Sequence, residues 1–297
     1  MDLFLNRVFD GLEQGITYGG IALALVLIFK ATTLINFAQG ELAMLGAFLV
    51  YILAVEQGLG VWIAIPLSML LTAVLAAVVE RTLIRPFDPA DHLPLVIITL
   101  GLFLVINSAA GIIWQFNPRR FPLIFPEGNA LEIGDAALTW NTVGMIVSVL
   151  GVLLLIELLL TRTKIGLAFR AVSSNLESSK LVGIRVGRTL QLGWAIAAAV
   201  GTFAATVFVA RPILFLEPTA MLRVLIFATA AAALGGLDSL RGAIVGGLVV
   251  GLIQSLVVGY VDFIPNELSL FIALVVILGV LLVRPAGLFG TARVERV

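Results

Sequence analysis

WNTVGMIVSVLGVLLLIELLLT, residues 140–161, carries a single charged side chain, Glu157. As an α-helix rising ~1.5 Å per residue it would extend about 33 Å, enough to cross ~30 Å of bilayer hydrocarbon. Eight further apolar runs lie at 12–30, 41–56, 61–84, 93–115, 189–211, 222–237, 243–261 and 267–284. The second (41–56) and the seventh (222–237) are short and polar at one end, as expected of broken or re-entrant segments. Such breaks survive at membrane depth only inside protein or beside water, because every backbone polar group there needs an internal partner. These runs predict an all-α integral membrane protein: a polytopic bundle of about 8–9 transmembrane helices, one domain over residues 1–297.

Composition agrees. Apolar residues make up 61% of the chain and charged residues 12%, and the mean hydropathy is +1.14. Soluble domains hold roughly 25% charged and about 45–50% apolar residues, and a soluble chain this apolar would expose large aggregating patches. With 18 basic and 18 acidic residues the net charge is zero, so no nucleic-acid surface is expected. There is no cysteine and only one histidine, which excludes a disulfide framework, a thiolate or multi-His metal site and a cysteine nucleophile. His92, in DPADHLP (88–94), reads as a solvated residue beside a membrane boundary. The dipeptide Gly-Lys does not occur and neither does HExxH, so the chain cannot hydrolyse ATP through a P-loop. No catalysis, metal or cofactor is expected. Residues 1–10 carry one basic side chain, Arg7, and no small-residue cleavage site follows the first apolar run, so the first helix is expected to be retained.

Lys and Arg placement sets the expected orientation. With the N-terminus outside, 13 of the 18 basic residues fall on the inner side, including Lys30, Arg162, Lys164, Arg170 and Arg241. Arg7, Arg119, Arg120, Arg211 and Arg223 fall outside. The 162–188 loop and the C-terminus are therefore expected in the cytoplasm and the 116–139 loop outside.

Gly11, Gly15 and Gly19 are spaced by four, as are Gly242 with Gly246 and Gly247 with Gly251. Small residues at this spacing let helix backbones approach in lipid; the pattern speaks for packing and says little about function.

Three polar stretches interrupt the apolar pattern. GLAFRAVSSNLESSKLVGIRVGR (166–188) has no proline; Ala168, Ala171, Val172 and Asn175 follow helical spacing and Gly183 is placed to end the helix. It reads either as a helix lying on anionic lipid or as a docking helix for a cytoplasmic partner. In NFAQGELAMLGAF (36–48), Asn36, Gln39, Gly40, Ala43 and Ala47 share one helical face. Uncompensated polar groups in lipid are costly, so this face is expected to point into the bundle or a pathway; Glu41, on the adjoining face, is expected at the cytoplasmic interface. In ALGGLDSLRGAIVGGLVVG (233–251), Gly235-Gly236 breaks the seventh segment, and Asp238, Ser239 and Arg241 form a turn. Asn107 and Gln254 lie deeper in their segments and either line a pathway or bridge helices, and Arg223 opens the seventh segment on the outward side.

NFAQGE, Glu80-Arg81, Arg85-Pro86, GLAFRAVSSN, Gly183-Ile184, LGGLDSLRGAIVGG and RPAGLFG (284–290) come in this order. Together they resemble the LivH-like permease subunits of the branched-chain amino-acid ABC importers over nearly the whole chain. The resemblance implies a second, paralogous permease, two ABC ATPase subunits on the cytoplasmic face, and a periplasmic substrate-binding protein, all at the bacterial inner membrane. It also implies that 166–184 is the ATPase-coupling element, with Gly166, Arg170, Ala171, Asn175 and Gly183 matching the pattern. Three positions depart from it. Ser178 and Ser179 replace alanines, which is harmless if that face is solvated. Phe227 stands where a lysine is common, which leaves the substrate open among branched-chain amino acids, urea, short amides and small organic acids. The expected pathway residues are Asn36, Gln39, Gly40, Asn107, Phe227 and Gln254. The expected mechanism is alternating access, driven by ATPases through the coupling helix. The rival reading is an ion-coupled carrier or channel acting alone, which the scarcity of mid-span charge disfavours.

Overall fold

A computed structural model describes residues 2–87, 92–212, 214–260, 269–284 and 286–290. Residues 88–91 of the DPADHLP stretch, the His92 side chain, Pro285 of RPAGLFG, Arg293 and Arg296 lie outside the described residues.

Every apolar run is helical over nearly all of its described residues. In chain order the helices are α1 (Asp2–Thr32), α2 (Gln39–Tyr51), α3 (Val61–Val79), α4 (His92–Trp114), α5 (Trp140–Arg162), α6 (Lys164–Ser174), α7 (Leu176–Leu181), α8 (Val186–Val209), α9 (Ala220–Gly235), α10 (Leu240–Tyr260) and α11 (Ser269–Val283). Helices α2 and α3 each run on through a π-helical turn, Ile52–Glu56 and Glu80–Ile84. With its π turn, α2 reaches 18 residues and is long enough to span, so the second run is unbroken. Among the described residues seven helices are long and apolar enough to cross a membrane, and α9 is shorter. Its 16 residues reach only about 24 Å, and the chain enters it from a non-helical segment.

Helix α1 is the hub of the bundle, packed against α5, α8, α9 and α10. Glycine explains its closest contact. A Cβ on Gly15 would lie 2.7 Å from the Leu248 Cα, and Cβ atoms on Gly247 and Gly251 would overlap the backbone of Gly19 and Gly15. On the other face of α10, Gly242 and Gly246 meet the backbone of α9 at Gly235 and Ala231. Helix α10 is thus wedged between two helices, glycine to both, the close approach that gives van der Waals contact where lipid supplies no hydrophobic drive.

Hydroxyls tie the second layer. Ser68 Oγ donates to the Gly46 carbonyl at 2.7 Å, the Thr72 and Thr202 hydroxyls meet at 2.8 Å, and Gln191 Nε2 donates to the Ala77 carbonyl at 2.9 Å. The outer sides of α3, α4 and α5 expose Leu70, Val74, Leu104, Ile112, Val147 and Leu155, a surface suited to lipid.

The segments before α5 and before α9 form small antiparallel ribbons that the hydropathy pattern did not signal. Strand β1 (Arg119–Arg120) pairs with β4 (Phe215–Leu216), and β2 (Asn129–Ile133) pairs with β3 (Ala136–Thr139). Thr139 closes the hairpin and caps α5, its Oγ1 accepting from Thr142 N at 3.1 Å. At the other end, the 286–290 segment folds back on α9: Leu288 N and Phe289 N donate to the carbonyls of Leu234 and Gly235 at 2.8 and 3.0 Å. These bonds satisfy carbonyls that the helix end leaves orphaned, and Gly236, at φ +103°, permits the turn.

Candidate functional site

The polar residues singled out in the sequence fall into three places. The first is a cleft of about 790 Å³ among α1, α8, α9, α10, Arg211 and residues 214–219. Phe227 and Gln254 both line it. Tyr18, midway along α1, joins them: its hydroxyl donates to Gln254 Oε1 at 2.7 Å, and its ring stacks on Phe227 with centroids 4.8 Å apart and planes 21° apart. Arg211 lines the same cleft but is held from behind. Its Nη1 donates to Glu13 Oε1 at 2.9 Å, Glu13 Oε2 accepts from the Thr142 hydroxyl at 2.9 Å, and the guanidinium covers the Phe208 ring at 4.4 Å. Arg223 and Glu217 complete the charged lining. Arg223 is exposed on α9, and Glu217 Oε1 accepts from the Thr219 hydroxyl at 3.0 Å.

The second place is closed. Asn36 Oδ1 accepts from Ala38 N at 3.0 Å, setting the turn into α2, and Gln39 Nε2 donates to the Ala197 carbonyl of α8 at 3.0 Å. Gly40 presses on the Leu225 side chain of α9. Asn107 Nδ2 reaches both Glu41 Oε2, at 3.3 Å, and the Pro218 carbonyl, at 3.1 Å. Asn36, Gln39 and Glu41 are each at most 1% exposed. Glu41, expected at a membrane interface, is therefore an interior group joining α2 to α4, because the turn at 33–38 carries the start of α2 up beside the middle of α8. Of the six expected pathway residues, the structure brings Phe227 and Gln254 to an open cleft. Asn36, Gln39, Gly40 and Asn107 lie in this interior junction.

The third place is the 162–188 segment, which forms two helices and not one continuous stripe. Asn175 separates them: its N–H donates to the Ala171 carbonyl, ending α6, and its Oδ1 accepts from Ser178 N at 2.8 Å, capping α7. The buried face of α6 is Gly166, Phe169 and Val172; of the stripe that helical spacing suggested, Val172 is buried, Ala168 and Ala171 are half-buried and Asn175 is exposed. A Cβ on Gly166 would strike the end of α5 at Leu160, so glycine lets α6 fold directly back under the bundle. Gly183, at φ +81°, ends α7 as anticipated: its N–H donates to the Lys180 carbonyl, and Ile184 N donates to that of Ser179, the paired bonds of a glycine-terminated helix. Ser179 is buried, with its hydroxyl on the Asn175 carbonyl at 2.7 Å, so only Ser178 lies on the solvated face. Arg170 on α6 and Leu181 and Val182 at the end of α7 are all exposed.

Behind α6 and α7 lies a cavity of about 580 Å³, reaching Glu80, Arg85, Lys180 and Trp194. Glu80 pairs with Arg85 at 2.6 Å, and Arg85 also donates to the Gly187 carbonyl at 2.8 Å, fixing the end of α3 to the start of α8. Arg241 pairs with Glu157 of α5 at 2.8 Å.

Sequence reasoning missed Tyr18, a lone ring in an apolar helix with no local signal. It also missed the Glu13–Arg211–Thr142 linkage, whose members are far apart in the chain. The Glu41–Asn107 contact had one clue, a carboxylate at the very start of one apolar run and an amide deep inside another.

A multi-pass helical bundle with a polar cleft on one side and an ordered two-helix element on the other has the build of a membrane permease. The sequence matches the family of branched-chain amino acid transport system permease components over residues 7–281, and the chain belongs to that family. It is 27% identical over 314 residues to BraD, a high-affinity branched-chain amino acid transport system permease protein of Pseudomonas aeruginosa, covering 99% of this chain and 98% of that protein. It is 27% identical over 306 residues to LivH of Escherichia coli, with the same coverage. Among solved structures, PsaBC from Streptococcus pneumoniae in complex with Fab aligns with 96% of this chain and 93% of that one, at 15% identity and a TM-score of 0.48.

Proposed function

We propose that this chain is the permease subunit of an ATP-binding-cassette importer that moves branched-chain or related amino acids inward across the bacterial inner membrane. Alternating access is driven by separate ATPase subunits on the cytoplasmic side. In this reading the C-terminus and α6–α7 are cytoplasmic, a second, paralogous permease completes the pathway, and a periplasmic binding protein delivers substrate.

The observation that carries the reading is the form of α6–α7. Capped at Asn175 and Gly183, folded tightly under α5 at Gly166 and presenting Arg170, Leu181 and Val182 to solvent, the pair is a rigid knob with an unfilled outer face. Ala171 is half-buried beside Val172, so a push on the knob reaches the bundle through packed side chains. Its inner side walls the 580 Å³ cavity with Val172, Leu176 and Lys180. Rigid-body displacement of such an element changes access to the cavity behind it. Phe227 and Gln254 act at the pathway surface, while Asn36, Gln39, Gly40 and Asn107 hold the elements that frame it.

The test begins with purification of the tagged chain from its own membranes. A P-loop ATPase and a second permease should accompany it, and vesicles holding the complex and the binding protein should accumulate branched-chain amino acid only with ATP. A chain that purifies alone and transports without ATP is the carrier of the rival reading. Arg170→Glu should weaken ATPase association at least about tenfold, or ~1.4 kcal/mol, in co-purification and in coupled transport. Unchanged association would remove α6–α7 as the docking element.

A further inference from the structure

We infer that the outward cleft contains a transient subsite for the carboxylate of the transported amino acid, with Arg223 as its cation and the stacked Tyr18–Phe227 pair as the wall for an apolar side chain. The inference rests on the importer reading of the same cleft.

The argument starts with what each charge in the cleft has to do. Arg211 is already committed: Glu13 holds it at 2.9 Å and Phe208 lies under it. Arg223 has no ion pair or hydrogen bond within the described residues, yet it stands on the same lining. It lies one helical turn from Phe227 on α9, so the two side chains share a face. A guanidinium on a membrane helix is costly unless it meets water, protein or a ligand, and its planar donor fork matches a carboxylate. Glu217 lines the cleft as well without pairing to Arg223. The lining therefore offers separate groups for the two charges of a zwitterion, which a neutral amide or urea cannot engage together.

The apolar half is equally specific. Tyr18 spends its hydroxyl on Gln254 Oε1, and the stacked Tyr18 and Phe227 rings, 7% and 3% exposed, close the inner end of the cleft with carbon. The same bond leaves the Gln254 amide nitrogen as a spare donor beside it. A volume of about 790 Å³ is at the roomy end for a ligand of this size, consistent with passage and weak holding.

The chain has no cysteine, so Leu222→Cys, an exposed position on the cleft wall, would supply its only thiol. Its rate of modification by a methanethiosulfonate reagent, measured on the assembled transporter, reports whether the cleft is occupied. Millimolar L-leucine should slow modification several-fold, and L-leucinamide, which lacks the carboxylate, should not. 4-Methylvalerate, which keeps the carboxylate but lacks the amine, should protect less than leucine if Glu217 takes part and as well as leucine if the carboxylate alone is read. Adding Arg223→Gln should abolish protection by leucine, and Arg223→Lys should restore part of it. Equal protection by leucinamide, protection that survives Arg223→Gln, or no protection by leucine would each overturn the subsite. If Arg223→Gln does not assemble, the comparison of leucine with leucinamide in the Leu222→Cys chain decides alone. ATP dependence of uptake, measured in parallel, separates the two readings: uptake without ATP but with the expected protection removes the importer and leaves the subsite, and ATP-driven uptake without protection does the reverse.

Discussion

The cleft beside Tyr18 and the junction at the start of α2 are built from the same residue types and differ in whether their amide and guanidinium groups are paired. In the junction, Asn36, Gln39 and Asn107 each have an intramolecular partner within 3.1 Å, and what they hold is backbone: the turn at Ala38, the carbonyl of Ala197, the carbonyl of Pro218. In the cleft, Arg211 is closed by Glu13 and the Tyr18 hydroxyl by Gln254 Oε1, while Arg223 and the Gln254 amide nitrogen have no partner among the described residues. Polar side chains in a membrane helix therefore serve two ends: completing backbone that has left helical geometry, or meeting something that is not always there. Sequence spacing alone does not separate the two. The difference lies in whether the polar residue has an irregular backbone to complete.

That contrast breaks most readily at Gly201 of α8. A Cβ there would stand 2.5 Å from Gln39 Nε2 and 3.3 Å from the Ala43 Cβ. Gly201→Val should expel the Gln39 amide, adding overpacking of about 1–3 kcal/mol to a lost membrane hydrogen bond of about 1 kcal/mol. The folded yield should fall sharply and the melting temperature of the purified protein in detergent should drop. A yield and melting temperature like those of the unaltered chain would mean that the junction does not hold α2 to α8.

Gln39→Leu should be milder, because it keeps the side-chain volume and removes only the polar bond. A loss of about 1–2 kcal/mol should lower the melting temperature, while transport per folded molecule stays near that of the parent. Loss of transport without loss of stability would move Gln39 from the frame to the pathway and erase the distinction between the two regions.

Much of the architecture was legible in the sequence, since hydropathy runs and glycine spacing report local facts. Each run is helical over nearly all of its described residues, and the Gly19–Gly247 and Gly15–Gly251 seams are where spacing by four placed small faces. Gly183 was legible too, because only a residue at ease with positive φ ends a helix that way. Three things were not. Asn175 sits at helical spacing from Ala168 yet breaks the helix, because an asparagine can cap the next helix as easily as continue the last one. Glu41 looked interfacial because it follows a polar turn, and nothing local says that the turn rises into the bundle. Tyr18 gave no signal, because its partners Phe227 and Gln254 are more than 200 residues away.

Tyr18→Phe is the finest probe of the comparison, because it removes one oxygen from the cleft and leaves the stacked wall in place. In the parent chain the Tyr18 hydroxyl fixes Gln254 at 2.7 Å, and the ring lies 4.8 Å from that of Phe227. Losing this bond should cost about 0.6 kcal/mol of stability, the average for interhelical hydrogen bonds in a membrane, so the melting temperature should hardly move. Gln254, however, would be free to turn either end of its amide into the cleft. If the cleft is the place that meets substrate, the half-saturating concentration for transport should change while the yield of folded protein does not. A junction residue gives the opposite pattern, stability lost with transport per molecule kept. Were Tyr18→Phe to behave like Gln39→Leu, the cleft would be a structural junction like the first, and the pathway would have to run along another face of α9.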